Sequence, residues 1–145
     1  MEFKNFVAVV EAPQNEARSL AVIDEVHKLA PGKPIQYVVN TNHHMAHAGG
    51  LRTYFSQGTI VVTHQSNRDY YVDILFSPFP RTLAPDQMAT FNPMYMISRR
   101  PPSIDTVGGT TSIGKYVVSD DERQMQVWHV QDMAYEIGES YIKVP

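Results

Sequence analysis

The chain has 145 residues, 43% hydrophobic and 19% charged, a composition that supports one compact domain with its own core and argues against disorder. Its 12 Lys and Arg against 15 Asp and Glu leave a formal net charge of -3, which gives no general attraction to nucleic acid or to an acidic membrane. The lack of cysteine excludes disulfides, thiolate metal sites and cysteine nucleophiles, and no apolar run reaches the roughly 20 residues of a membrane span, so a soluble protein is expected.

In chain order, "FVAVVEA" at residues 6 to 12 reads as a buried strand that ends before Pro13. Residues 16 to 30 read as a helix, because Leu20, Ile23, Val26 and Ala30 recur at helical spacing, Glu16 suits the first turn, and Pro31-Gly32 stops the run. "IQYVVN" is a second strand, and strand, helix and strand in this order predict a crossover between parallel strands. A helix is expected at about residues 48 to 56, a third strand at "TIVVTH", and another helical segment at "SNRDYYVDILF". Residues 77 to 105 hold many Pro and Met and few periodic runs. "KYVVSD", "RQMQVWHV" and "SYIKV" then favour strands, the first two joined by a turn at Asp120-Asp121-Glu122. The predicted class is α/β, a mixed sheet with crossover helices whose second half is more antiparallel, in one domain spanning residues 1–145.

The densest chemistry lies at residues 37 to 55, "YVVNTNHHMAHAGGLRTYF", where His43, His44 and His47 follow a strand end. Ends of parallel strands collect loops and helix starts in one crevice, so this is a natural place for function. Neutral imidazoles can ligate zinc, but two histidines alone do not define a site, and the HExxH arrangement of a zinc hydrolase is absent. Gly49 and Gly50 suit either a close backbone approach or the turn into a helix. No GxSxG elbow occurs, and "TVGGTTSIGK" lacks P-loop spacing. Tyr70, Tyr71 and Tyr95 are candidate recognition groups, while His64 and His129 read as structural histidines at or in strands.

The stretch from Thr41 to Gly50 resembles the metal-binding motif of the metallo-β-lactamase fold, Thr-His-x-His-x-Asp-His-x-Gly-Gly after an apolar strand. Thr41, His44, His47, Gly49 and Gly50 match it; Asn42 and Ala46 stand where the family has a histidine and an aspartate. The similarity continues through "LRTYFSQGTIVVTHQSN". A later landmark is also similar: in "YEIGESYIKVP" Gly138 and Pro145 are in place, and Tyr135 stands at the family's histidine position. The resemblance implies a metallo-β-lactamase-like fold and, for a complete site, hydrolysis of an ester, lactam or lactone by metal-activated water.

His44 and His47 would then be the surviving ligands, one from each metal set, and zinc or manganese would bind only if the site were reorganised. Asp132 and Glu136 would approach the site from off-motif positions. Asn42 is expected to hydrogen-bond the loop and cap the following helix, and Ala46 to remove the need to compensate a buried carboxylate. The family domain continues to a further bridging aspartate and a later histidine and carries more strands before "NFVAVVEA", so the abrupt ends of this chain give the expectation of a truncated domain without independent turnover. Exposed apolar surface on such a piece would favour a homodimer. No nucleic-acid or membrane partner is expected, and no feature names a small-molecule substrate or a catalytic residue.

Overall fold

The computed structural model describes residues 1–77, 84–90, 102–108, 114–130 and 140–145. Four strands, β1 (Val7–Val10), β2 (Ile35–Val39), β3 (Ile60–His64) and β4 (Ser103–Val107), form a parallel sheet in sequence order. Between β1 and β2 runs α1 (Glu16–Leu29). The Asn15 side chain starts it by accepting a hydrogen bond from Arg18 N at 3.0 Å, and Gly32, at φ 79°, turns the chain out of it. Two short helices, α2 (Met45–Ala48) and α3 (Leu51–Ser56), lie between β2 and β3. A 3-10 turn (Gln65–Asn67) and α4 (Arg68–Leu75) follow β3.

Helical crossovers deliver each of these strands in the same direction, and alternate side chains leave to opposite faces. Val7, Val9, Val38 and Val61 pack with Ile23 of α1, Leu51, Tyr54 and Phe55 of α3, and Tyr71 and Leu75 of α4. On the other face Ala8, Val39, Ile60, Val62 and Val107 meet Val118, Met125 and Val127. Those last three belong to an antiparallel sheet of β5 (Lys115–Ser119), β6 (Gln124–His129) and β7 (Ser140–Lys143). The layers are therefore helices, a parallel sheet and an antiparallel sheet. Each Val, Leu or Phe buried in them contributes about 1.5–3 kcal/mol relative to exposure.

The α/β class agrees with the expectation, but the mixed sheet separates into two. Sheet direction follows the connection: long crossovers give parallel neighbours, and the tight turn at Asp120 gives an antiparallel pair. That turn lies where predicted, with Asp120 Oδ1 accepting from Glu122 N and Arg123 N at 2.8 and 2.7 Å. The single helix expected over residues 48 to 56 is split at Gly49 and Gly50, because Gly50 N leaves the helical ladder to donate to Ala12 O at 2.8 Å. Among the described residues no helix is long and apolar enough to cross a membrane.

Candidate functional site

The histidine loop sits at the carboxyl end of β2, opposite the segment that leaves β1. These two segments are zipped together by backbone hydrogen bonds: Glu11 N to Val39 O, Ala12 N to His47 O and Gln14 N to Met45 O, at 2.8 to 3.0 Å. Gly49 and Gly50 allow this approach. A Cβ at Gly49 would lie 2.1 Å from Gln14 O and one at Gly50 2.0 Å from Ser19 Oγ, so the close approach is realised, and Gly50 also starts α3 at its N-cap.

Inside the zipper is a polar network. Asn40 is fully buried; its Nδ2 donates to Asn42 O at 2.7 Å and to Glu11 Oε2 and His47 O at 3.3 Å. Its Oδ1 accepts from the Tyr71 hydroxyl at 2.6 Å. Glu11 accepts from Thr41 N at 3.0 Å and from the Thr41 hydroxyl, and its Oε2 lies 3.5 Å from His47 Nδ1. Glu11 also has φ 65°, which costs a non-glycine residue of the order of 1–2 kcal/mol. Such strain persists where surrounding bonds over-determine the conformation, and the carboxylate's partners Asn40, Thr41 and His47, just past β2, do so here.

Asn42 is buried, and its Oδ1 accepts from His44 N at 2.7 Å. The expected loop bond is present, but the helix cap is not: His44 occupies the N-cap position of α2, with no side-chain cap bond. His44, Met45 and Ala46 are exposed, and His43 and His47 are partly exposed. Ala46 thus faces solvent, which corrects the expectation that it relieves a buried carboxylate. A carboxylate at an exposed position on a short helix stays solvated and needs no partner.

Among the described residues the donors do not make up a two-metal centre like the one the resemblance implies. The Asn42 oxygen is engaged by a backbone N–H, Ala46 has no donor atom, and among the described residues no three His, Asp or Glu side chains converge as a metal site would require. Tyr135, Asp132, Glu136 and Tyr95 lie outside the described residues. Of the tyrosine pair, Tyr71 is a buried member of the network and burial pushes its hydroxyl far above the ordinary range, so it acts as a neutral hydrogen-bond donor. Tyr70 is half exposed, with its ring 6.3 Å from that of His43. These two rings rim a cavity of about 600 Å³ walled by Ala17, Leu51, Ile74 and Leu75.

Sequence reasoning missed Glu11 and Asn40. The signal was available for both: each stands at the carboxyl end of a parallel strand, the place that drew attention to the histidines. His64 and His129 were expected to be structural histidines at or in strands, and their contact with each other was not anticipated. His64 Nε2 and His129 Nδ1 are 2.6 Å apart, and their rings stack with centroids 4.4 Å apart. The chain matches no protein-family model and no curated protein.

Proposed function

We propose that the chain is a metallo-β-lactamase-like, hydrolase-related domain in which protein hydrogen bonds hold the histidine loop in place of metal, and that it has no independent turnover. The observation that carries this reading is the bond from His44 N to Asn42 Oδ1, at the position where the family motif has a histidine ligand. Glu11 and Asn40 complete the same network, so the loop is organised by neutral amides and one carboxylate already provided with donors. The motif's place at the end of β2, between helices on one face of a parallel sheet and a second sheet on the other, supports the same reading.

The test is hydrolysis of an ester, a lactone and a β-lactam by zinc- or manganese-loaded protein, beside His44→Ala and His47→Ala. The expected result is background hydrolysis in all three proteins. Turnover by the parent chain that either substitution abolishes would overturn the proposal in favour of a residual metal-dependent hydrolase.

A second reading, self-association, draws on the outer face of the antiparallel sheet. Val117 and Tyr141 are exposed there, and Tyr141 stacks on Trp128 with centroids 6.4 Å apart. Aromatic residues on an open sheet face are suited to pairing with a second copy. Light scattering across a concentration series decides it: a dimer that Tyr141→Ser converts to monomer supports the reading, and a monomer throughout removes it.

A further inference from the structure

The two sheets meet through side chains at the ends of β3 and β6. His64 ends β3 and is buried; His129 ends β6, on the face that carries Met125 and Val127 inward. The backbone of Gly108, just past β4, walls the pair: at φ 81°, a Cβ there would lie 2.6 Å from His64 Nε2 and 3.2 Å from His129 Cγ. One strand over, Ser140 is the register partner of His129, and Ser140 N donates to Thr41 O at 3.0 Å. The imidazole pair and the histidine loop are thus both tied to the same end of the antiparallel sheet.

Hydrogen-bond chemistry fixes where the protons are. Ser66 N–H can only donate, and it points at His64 Nδ1 at 3.1 Å, so that nitrogen is an acceptor. The Ser66 hydroxyl lies 2.7 Å from the same atom. His64 therefore carries its proton on Nε2 and gives it to His129 Nδ1, leaving both rings neutral. A proton added to His64 Nδ1 faces the Ser66 N–H. A proton added to His129 Nδ1 faces the His64 N–H unless His64 shifts its own proton onto Nδ1, which again opposes Ser66. Each route to a charged pair breaks a bond now in place.

The geometry points to a proton-sensitive clasp: the neutral His64–His129 pair holds the antiparallel sheet against the crevice end of the parallel sheet, and protonation of the pair releases that end together with the Thr41–Ser140 tie to the histidine loop. Burial first, and the neighbouring His129 second, hold His64 below the ordinary histidine value. Among the described residues, the charged or titratable groups on the elements packed around the pair are otherwise engaged or outward. On β4, Asp105 accepts from the Tyr116 hydroxyl of β5 at 2.5 Å. Lys115 on β5 places its ammonium 5.4 Å from the Trp128 ring. On β7, Tyr141 and Lys143 are exposed, and at the start of α4 Arg68 pairs with Asp69 at 3.5 Å. The 3-10 turn after β3 carries no charged side chain.

The sign follows from a folded-state value below the unfolded one. Unfolded chains take up the proton first, so the clasp's contribution is complete above about pH 6.5 and declines as pH falls below it. Denaturant unfolding of the whole chain at about pH 7.5 and pH 5.5 should show the unfolding equilibrium constant rising at least about threefold more in the parent than in His129→Gln, whose amide oxygen still accepts from His64 without titrating. Two measurements on the parent chain alone keep the test decisive if the variant fails to fold. Imidazole ¹⁵N spectra at neutral pH should place the His64 proton on Nε2, and the hydrogen-exchange protection factor of the Ser140 amide should fall between the two pH values. A His64 Nδ1–H tautomer, an equal pH response in parent and variant, or unchanged Ser140 protection would overturn the inference.

Discussion

The histidine motif divides into two regions that differ in what their side chains require. Residues 40 to 42 are inside the protein: Asn40 and Asn42 are buried, Thr41 is partly buried, and their polar groups meet Glu11, Tyr71, His44 N or one another. Residues 44 to 46 face water on the first turn of a short helix. A polar side chain in the buried region needs a hydrogen-bond partner, and Asn42 has one in His44 N. In the exposed region it needs nothing, and Ala46 is accommodated by solvent alone. Asn42 and Ala46 therefore meet different physical requirements.

This contrast predicts a graded series in denaturant unfolding. Asn40→Ala is the most damaging, at about 3 kcal/mol, because it strands the Tyr71 hydroxyl and leaves carbonyls and the Glu11 carboxylate short of a donor. Glu11→Ala follows at about 2 kcal/mol, since Thr41 N and the Thr41 hydroxyl lose their acceptor, while the strained φ is unrelieved by alanine. Asn42→Ala costs about 1 kcal/mol through the lost acceptor for His44 N. Ala46→Asp changes stability by less than about 0.5 kcal/mol. If Ala46→Asp proved as costly as Asn42→Ala, the division into buried and exposed regions would fail.

Much of the framework was legible because local rules decide it. The helix over Glu16–Leu29 is announced by the acid in its first turn, its apolar spacing and its Pro-Gly stop, and the strands before and after it by short valine-rich runs. The separation into two sheets was not legible, since it depends on which face of each strand finds cover, and Val7 and Ala8 differ in their neighbours without differing in local pattern. At the site, the histidines and glycines stood out by composition. Glu11 did not: its place at the end of β1 was readable, but its partner Thr41 lies 30 positions away. The contact between His64 and His129 spans 65 positions and two sheets, which no local spacing encodes.

Metal stoichiometry separates a histidine loop held by hydrogen bonds from one held by a metal ion. The tag-free chain, loaded with zinc or manganese and freed of weakly bound ion by gel filtration, is measured for metal content and melting temperature with and without chelator. The expected result is metal far below one ion per chain and a melting temperature that chelator leaves unchanged. Stoichiometric metal, lost in His44→Ala or His47→Ala together with a chelator-induced drop in melting temperature, would contradict it.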